Sequence, residues 1–339
     1  MAATTHTPAV EHELESYRRE LTGYCYRMLG SGFEAEDAVQ ETFVRAWRNF
    51  ESFEGRSSLR SWLYRIATNV CLDMLQGPQR RARPMDMGPS STADTTLGAP
   101  LVESTWVMPI ADSAALPEEG DPAELAAQRE TLRLAFVAAL QHLPPRQRAV
   151  LILREVLRWQ ASEVADLLGM TVASVNSALQ RARATVDQLD LDASGPAVLK
   201  GDEQDLLSKY VDCFERYDIE NLVALIADDA EFSMPPFDLW LNNTTDIAKW
   251  YTGQGHECEN SRMIALRANG CAAFAQYKPS AEGRWEPWAL QVVEVGDGKI
   301  TGIHHWIPPF AAPLFERFGV PPYLEGDVPY SSERASSSS

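Results

Sequence analysis

The stretch Leu143–Val186, LPPRQRAVLILREVLRWQASEVADLLGMTVASVNSALQRARATV, predicts three consecutive helices with almost no connecting sequence. Its two opening prolines suit a first helical turn, where missing N–H groups cost nothing. Ser162 is the candidate N-cap of the second helix, Gly169 stands where that helix would end, and Thr171 would cap the third. Two helices joined by a tight glycine turn predict a DNA-binding helix-turn-helix, and an ordinary helical hairpin with a solvated face is the alternative.

The third helix of this stretch has an apolar side and a polar side. Its apolar residues recur at helical spacing and are expected to face inward: Val175, Leu179, Ala182 and Val186. The residues left on the outside are Ser174, Asn176, Ser177, Gln180, Arg181 and Arg183. A polar, arginine-bearing face on the second helix of such a pair is typical of DNA recognition.

The composition predicts a globular protein of the cytoplasm. The chain of 339 residues is long enough for two or three domains, and 45% of its residues are hydrophobic and 23% charged. No apolar run approaches the ~20 residues that span a bilayer, and the N-terminus lacks a signal-peptide pattern. The five cysteines lack CxxC or Cys/His spacing, which predicts reduced thiols. We therefore predict no membrane contact, no metal and no cofactor.

The net charge of −18 hides two basic segments. Residues 45–83 hold eight arginines against three acidic residues, and residues 143–186 hold six arginines against three. Residues 85–130 hold one arginine against nine acidic residues, and residues 203–325 hold nine basic residues against nineteen. Local patches govern contact with phosphate more than the overall sum does, so the acidic total does not exclude nucleic acid as a partner.

The N-terminal part predicts helices over 13–29, 35–50 and 59–76. The second of these has a predicted buried stripe of Ala38, Val39, Phe43, Ala46 and Trp47, with Asp37, Gln40, Glu41 and Arg45 largely on the other side. The third carries arginines between aromatic residues, which suits a nucleic-acid surface. The alternative is a core helix whose Trp and Tyr side chains only pack.

The middle of the chain, over 84–119, predicts a linker because Pro, Gly, Ser, Thr and acidic residues dominate it without a sustained period. Two interpretations stay open, a flexible acidic tether and an acidic segment that imitates nucleic acid in a basic channel. A helix is predicted to resume over 122–140, and a second, shorter linker over 192–201.

Residues 202–322 differ from the preceding helical segments, because their sequence predicts both helices and strands. Predicted helices over 206–217, 219–227 and 245–251 come with β signals over 230–237, 263–268, 271–277, 285–295 and 300–307. The sequence Gly296-Asp297-Gly298 predicts that the last two strands form a hairpin. Helices followed by a curved antiparallel sheet predict an α+β domain, and its concentrated tryptophans predict an apolar pocket. The apolar stretch 310–324 is expected to pack on other parts of the chain, and 326–339 is expected to be a disordered tail.

These modules, in this order and spacing, resemble the sigma-70 factors of bacterial RNA polymerase, in the extracytoplasmic-function subgroup. The resemblance covers about 13–189, just over half of the chain. AEDAVQETFVRAW (35–47) is similar to the family's polymerase-docking helix, FEGRSSLRSWLYRIATNVCLDML (53–75) to its −10 module, and 143–186 to its −35 module. The resemblance implies a sigma factor that directs core polymerase to promoter DNA and helps open the −10 region, with its two DNA modules held at a fixed separation.

The resemblance implies roles for individual residues by position. Contacts with core polymerase are implied for Asp37, Gln40, Glu41 and Arg45. Contacts with the −10 element are implied for Phe53, Ser57, Ser58, Arg60, Arg65 and Asn69, with Asn69 helping to capture a flipped base. Contacts with the −35 element are implied for Arg146, Thr171, Ser174, Asn176, Ser177, Gln180, Arg181 and Arg183. The family's recognition helix often has Arg where Asn176 and Ala178 stand, so the −35 sequence is not implied.

The implied domain order is region 2 over 11–83, an acidic linker near the polymerase active-site channel over 84–121, region 4 over 122–190 and a SnoaL-like domain over 202–325. The VNSALQRARA helix and MPPF (234–237) are similar to family members that carry this domain. The predicted fold class is therefore multidomain, two all-α sigma domains followed by an α+β cone of the NTF2-like type. The cone is predicted to modulate activity and to hold a candidate ligand pocket of Trp250, Trp285, Trp288 and His305. A small ligand and a separate anti-sigma factor are further candidate partners.

Two other classes of function stay open. One is a one-component transcriptional regulator, a helix-turn-helix with a ligand-binding domain, although such a regulator needs neither the docking helix nor the Asn69 helix. The other is an enzyme of the C-terminal domain that uses His304, His305, Asp228 and Glu231 as acid and base. Adjacent strand residues face opposite sides, and an isolated strand histidine is more often structural, so we predict no catalytic residues.

Overall fold

A computed structural model describes residues 8–50, 53, 55, 58–77, 80–189 and 201–326. The chain forms two compact units. Unit 1 combines Met1–Arg81 with Asp112–Leu191, and unit 2 combines Ala82–Ala111 with Asp192–Ser339. The middle segment therefore leaves unit 1 after Arg81, folds as part of unit 2, and returns at Asp112.

The first part of unit 1 is a helical bundle. Its helices are α1 (Pro8–Glu15), α2 (Arg18–Leu29), α3 (Gly32–Asn49) and α4 (Leu59–Met74). The first predicted helix is two helices in the structure, because a turn at Ser16 and Tyr17 interrupts it. Gly30 ends α2 in the left-handed region at φ 74°, and the Ser31 side chain caps α3 by accepting from Glu34 N at 3.4 Å.

The buried side of α3 differs from the predicted stripe at one residue. Ala38, Val39 and Ala46 are buried as predicted, and Phe43 is half-buried. The prediction for Trp47 is wrong, because 41% of its surface is exposed. Trp47 lies at the edge of the apolar stripe, where helical spacing alone does not decide which side chains the neighbouring helices cover.

The second part of unit 1 contains the helix-turn-helix. Its helices are α5 (Asp112–Ala115), α6 (Pro122–Glu130), α7 (Leu134–Gln141), α8 (Pro145–Leu151), α9 (Ala161–Leu168) and α10 (Val172–Asp187). A π-helical turn, Ile152–Val156, extends α8. The predicted Ser162 cap is wrong, since Gln160 and Glu163 cap α9 reciprocally. The predictions for Gly169, which ends α9 at φ 62°, and for Thr171, which caps α10, are confirmed.

Two buried arginines tie the two parts of unit 1 together. Arg27 of α2 donates to the Thr131 hydroxyl at 2.9 Å and to Gln128 O at 3.1 Å. Arg148 of α8 donates to the Met28 carbonyl oxygen and, at 2.6 Å, to Gln141 Oε1. Burial lowers the pKa of each guanidinium to about 10, so both stay charged at neutral pH. The carbonyl oxygens replace the water that each charge loses, and separating the two parts would break these contacts.

Unit 2 is an α+β domain, as predicted. Its helices are α11 (Gly201–Arg216), α12 (Ile219–Ala224), α13 (Thr244–Thr252) and α14 (Ala311–Arg317). Its strands are β1 (Ile226–Ser233), β2 (Trp240–Leu241), β3 (Arg262–Ala268), β4 (Cys271–Pro279), β5 (Trp285–Gly296) and β6 (Lys299–Trp306). They form one sheet in the order β2-β1-β6-β5-β4-β3.

The sheet differs from the prediction in one pairing. The predicted β5–β6 hairpin is confirmed, with Asp297 at φ 50° and Gly298 at φ 73° in its turn. The β1–β6 pair is parallel, whereas the prediction was antiparallel throughout. The chain reaches β6 from β1 through β2, α13 and three further strands, so this pair is not joined by a short turn. Tyr210, Phe214 and Phe232 pack in the core of this unit.

The segment Ala82–Ala111, hereafter the strap, is folded on unit 2. Ser91 N donates to Trp240 O at 2.7 Å, and Asn269 N donates to Ile110 O at 3.1 Å. The strap buries Trp106 fully, together with Val107, Met108 and Ile110. Hydrogen bonds and apolar burial therefore give a fixed structure to a segment whose polar composition resembles that of a flexible tether.

No helix in the described parts of the chain is long and apolar enough to cross a membrane. Residues 192–200 of the second predicted linker and 327–339 of the predicted tail lie outside the described residues.

Candidate nucleic-acid interface

The residues predicted to bind polymerase lie on one exposed side of α3. The side chains of Asp37 and Gln40 are exposed. Arg45 pairs with Glu41, one turn earlier on the same helix, at 2.7 Å, and with Asp73 of α4 at 3.2 Å. These pairs are partly solvated and add little stability, but they fix the direction of the guanidinium beside two carboxylates.

The α4 helix presents Arg65 and Asn69 to solvent, while its Leu63, Ala67 and Val70 are buried. Asn69 therefore stands where an external partner can reach its amide. The loop before α4 is partly described. Phe53 stacks on Trp62 with ring centroids 5.0 Å apart, and the Ser58 hydroxyl caps α4 by accepting from Ser61 N at 3.1 Å. Ser57 lies outside the described residues.

A neighbouring face of α4, which carries Arg60 and Tyr64, packs on the helix-turn-helix. The Arg60 guanidinium lies 5.3 Å from the ring centroids of both Tyr64 and Trp159, and it pairs with Glu20. The Tyr64 and Trp159 rings are 5.0 Å apart, and Trp159 is 5% exposed. We call this packing of α4 against Trp159 and α9 the closed arrangement. Two of the predicted −10 residues are held in it, since Arg65 Nη2 also donates to the Asp166 carbonyl oxygen at 3.2 Å.

The predicted −35 residues lie on the exposed side of α10, and Arg146 is exposed at the start of α8. Several of their polar groups are engaged within the protein. The Thr171 and Ser174 hydroxyls are hydrogen-bonded to each other at 2.9 Å, and the Thr171 hydroxyl accepts from Ser174 N. Arg183 pairs with Glu155 at 2.5 Å. Ala178 is 3% exposed, so its side chain cannot reach a ligand.

The amide side chains of α10, unlike the Thr171 and Ser174 hydroxyls, are not engaged in a helix cap. Asn176 and Gln180 are exposed and lie one helical turn apart. Both line a groove of about 540 Å³, together with Arg154 and Arg183. Two amides of α10 that can each donate and accept thus stand beside the guanidinium groups of Arg154 and Arg183 and the carboxylate of Asp187.

The candidate ligand pocket of unit 2 is not a single cluster. Trp250 and His305 are buried and meet at Phe232, with ring centroids 6.4 Å and 5.0 Å from that ring. Trp288 instead lies under Lys278, whose Nζ is 3.7 Å from the ring centroid, and Trp285 stacks on Arg262 at 4.6 Å. The structure therefore brings together only two of the four predicted residues at Phe232.

The residues weighed as an acid/base set are brought together only in part: burial lowers the pKa of His304, and Glu231 is close enough for its charge to oppose that shift. His304 accepts from or donates to the Ser233 hydroxyl at 2.8 Å, whereas His305 packs on Phe232. Burial lowers the pKa of His305 to about 3, so this imidazole is neutral near pH 7. Asp228 is exposed, and Glu231 lies 4.0 Å from Arg83 of the strap.

One polar feature of unit 2 was missed by the sequence analysis. A buried chain of hydrogen bonds runs from the Tyr210 hydroxyl to Gln291 at 2.7 Å, from Gln291 to Gln276 at 2.8 Å, and from Gln276 to the Ser261 hydroxyl at 2.8 Å. The sequence indicates this network only through Gln276 and Gln291, two polar residues within predicted strands. A satisfied network of this kind specifies one packing of the interior.

Comparisons with known proteins agree with this geometry. Residues 14–81 match the family described as Sigma-70 region 2, and residues 133–186 match Sigma-70, region 4. The ECF RNA polymerase sigma factor SigG of Mycobacterium tuberculosis (strain H37Rv) is 42% identical over 314 residues, which is 91% of this chain and 83% of SigG. SigW of Bacillus subtilis (strain 168) is 30% identical over 173 residues, 50% of this chain and 82% of SigW.

A solved structure shares the fold. The crystal structure of the extracytoplasmic function sigma factor SigJ of Mycobacterium tuberculosis is similar with a TM-score of 0.57 and 21% identity. It covers 88% of this chain and 96% of SigJ, so the likeness of fold extends over the helical modules and the α+β domain.

Proposed function

The chain belongs to the extracytoplasmic-function group of sigma-70 RNA polymerase sigma factors, and we propose that α3 binds core polymerase while α4 and α10 read the promoter. As a member of this family it directs RNA polymerase to promoters. The observation that carries the division of labour is that these three helices each bury one side and expose polar side chains on the other. Exposed amides, carboxylates and guanidinium groups on fixed helices suit contacts with macromolecules.

The polymerase contact is tested by charge reversal on α3. Asp37→Arg and Glu41→Arg place cations where the proposed surface is acidic, and we expect each to weaken copurification of the full chain with core polymerase. Asp238→Arg, at an exposed position of unit 2, is the matched control. Undiminished binding by both α3 variants would overturn the proposed docking surface.

The closed arrangement cannot read both promoter elements at once. Elements centred near −10 and −35 are about 25 base pairs apart, or about 85 Å at 3.4 Å per pair. A compact unit of about 160 residues has a radius of gyration near 15 Å and is about 40 Å across. We therefore infer that the closed arrangement is an inactive state, and that binding to polymerase and promoter separates α4 from Trp159 and α9.

The strap is the basis for the proposed regulatory role of unit 2. Ala82 N donates to Thr105 O at 2.8 Å, and Val107 N donates to Ala82 O at 3.0 Å. These bonds close the base of the strap, so its two ends stay near each other while it is folded. Thirty residues released from this loop could reach about 100 Å. By holding the strap, unit 2 limits how far the two DNA-binding modules can separate.

Strap release is tested in the full chain. Asp246 accepts from Ala93 N at 3.1 Å, and Gln254 donates to Ala93 O and Thr95 O, each at 3.1 Å. We expect the Asp246→Ala/Gln254→Ala double variant to make the strap more sensitive to protease and to raise transcription from unchanged start sites. Gln188→Ala is the control, because Gln188 is exposed at the end of α10. Faster cleavage of the strap with unchanged transcription would refute the regulatory role.

Two other functions have discriminating tests. A one-component regulator would bind its DNA site equally well without polymerase. An enzyme of unit 2 would show turnover that His305→Ala abolishes. We infer no such reaction, because His304 and His305 have different partners and Asp228 stands apart on the surface. Binding of a small ligand, control by an anti-sigma factor and a cytoplasmic location remain predictions.

A further inference from the structure

The amide side chains of α10 give the proposed −35 readout a chemical preference. Asn176 and Gln180 are exposed, lie four residues apart, and line the same groove. Within the described residues neither side-chain amide makes a hydrogen bond, so both are available to a ligand. On the surface of an ordinary protein they would only be solvated, but this helix is the recognition helix of a sigma factor.

Adenine is the base whose major-groove edge matches an amide. Adenine presents the N7 acceptor next to the N6 amino donor, and an Asn or Gln amide satisfies both at once. Guanine presents two acceptors, which an arginine fork matches better than an amide does. An arginine at position 176 or 180 would favour guanine. Asn176 and Gln180 therefore favour adenine at the base pairs that they contact.

The other polar groups of the helix do not offer the same contact. The Thr171 and Ser174 hydroxyls are occupied by the helix cap, and Ala178 is buried. Arg183 is engaged by Glu155 at 2.5 Å, whereas Ser177 and Arg181 are exposed, and an arginine matches guanine or a phosphate rather than adenine. Arg154 and Asp187 also line the groove, and Arg154 donates to the Trp159 carbonyl oxygen. The exposed arginines beside the amides, Arg181 and Arg183, can hold the DNA backbone.

The spacing of the two amides sets the spacing of the bases. Four residues of an α-helix rise about 6 Å. Two steps of the DNA duplex rise about 6.8 Å at 3.4 Å per base pair. A recognition helix lying along the major groove would place the two amides at base pairs two steps apart.

We propose that Asn176 and Gln180 each read an adenine of the −35 element, at A·T pairs two steps apart. This inference rests on the proposed −35 role of α10. It assigns a base preference to the two amides, and it predicts that replacing either amide changes the preference at one position only.

The experiment uses core polymerase reconstituted with the full chain. A promoter library with a randomised −35 region is transcribed, and the enriched sequences are read. We expect adenine at two positions two steps apart. Replacing either adenine by 7-deazaadenine, which lacks the N7 acceptor, should lower initiation about ten-fold, within the range for loss of a bidentate base contact.

Variants assign each base to a residue. In Asn176→Ala, 7-deazaadenine should have no effect at one of the two positions and an undiminished effect at the other. Gln180→Ala should give the converse result. Asn176→Arg and Gln180→Arg should change the selected base from adenine to guanine at the corresponding position. Gln188→Ala, an amide at the other end of the helix, should leave the selection unchanged.

Three results would overturn the inference: G·C pairs selected at both positions, wild-type initiation insensitive to 7-deazaadenine, or amide variants that keep the full dependence on both adenines. The base-analogue measurement on wild-type protein needs no variant, so a variant that misfolds does not remove the test. If randomising the −35 region has no effect at all, the proposed −35 role of α10 fails. If −35 dependence persists without adenine preference, only the present inference fails.

Discussion

Removing the Trp159 ring should open the closed arrangement. The ring is 5% exposed and lies 5.0 Å from the Tyr64 ring and 5.3 Å from the Arg60 guanidinium. An aromatic pair contributes about 0.5–1.5 kcal/mol beyond burial, and a partly exposed cation–π contact contributes about 0.5–1 kcal/mol. Loss of these two contacts in Trp159→Ala should by itself weaken the closed arrangement by about 1–2.5 kcal/mol, which raises the open-to-closed ratio roughly 5- to 70-fold, and the apolar burial that the ring loses on truncation adds to this.

The assay is a distance measurement between spin labels on the two parts of unit 1. Cysteines introduced at the exposed positions Gln76 and Ala184 carry the labels, and Ser replaces the half-buried Cys213 and Cys258. Wild-type protein should give one short distance. Trp159→Ala should add a population at longer distance, and Trp159→Phe, which keeps an aromatic ring, should add much less.

A double-mutant cycle isolates the contact itself. Arg60→Ala combined with Trp159→Ala should show a coupling near the cation–π contribution of about 0.5–1 kcal/mol. Arg65→Ala removes only the exposed Arg65–Asp166 bond and should shift the distances in the same direction without affecting the helix fold. If Trp159→Ala and Arg65→Ala both leave the wild-type distance distribution unchanged, the contacts do not hold the two parts together.

Three further predictions concern stability. A methyl group at Gly23 would lie 2.6 Å from the Ala115 carbonyl oxygen, so Gly23→Ala should lower the free energy of unfolding, measured with urea, by about 1–3 kcal/mol. Gly77→Ala is the control and should be nearly neutral, because no described atom lies within 4 Å of the added methyl group. Equal effects of the two substitutions would contradict the close packing of α2 on α5. Burial lowers the pKa of His305 from 6.5 to about 3, so the unfolded chain binds more protons between these values. The free energy of unfolding should therefore decrease by up to about 1.4 kcal/mol for each unit by which the pH is lowered through this range. Urea titrations should show a shallower decrease for His305→Gln, and an unchanged slope would contradict the burial. Arg83 lies 3.1 Å from Asp86 and 4.0 Å from Glu231, so Arg83→Met should leave these carboxylates without their cation and speed proteolysis of the strap, while Arg284→Met at an exposed ion pair should not.

Local signals in the sequence predicted the modules and the turn of the helix-turn-helix. Gly169 and Thr171 act through their own backbone and side chain, so their roles depend little on the rest of the chain. The Asp297–Gly298 turn is predictable for the same reason. The Ser162 prediction is wrong because Gln160 and Glu163 form a reciprocal cap with the N-cap two residues earlier, a choice that propensity alone does not make.

Features that depend on distant parts of the chain were not predictable. The strap has the composition of a tether, yet its ends are bonded to each other and its Trp106 side chain is fully buried. The closed arrangement joins Arg65 to Asp166, which are 101 residues apart, and no periodicity reports such a contact. Trp285 and Trp288 are three positions apart on one strand, so they face opposite sides of the sheet, and their partners Arg262 and Lys278 come from other strands.

Promoter binding by the full chain, with and without core polymerase, shows directly whether α4 and α10 read the promoter on the polymerase. A labelled promoter carrying the selected −35 and −10 elements is titrated, and the same titration is repeated with scrambled elements. We expect sequence-specific binding only when polymerase is present, and we expect the Asp37→Arg/Glu41→Arg variant to lose it. Equally tight and specific binding without polymerase, unaffected by that variant, would contradict the claim that α4 and α10 act as promoter readers on the polymerase.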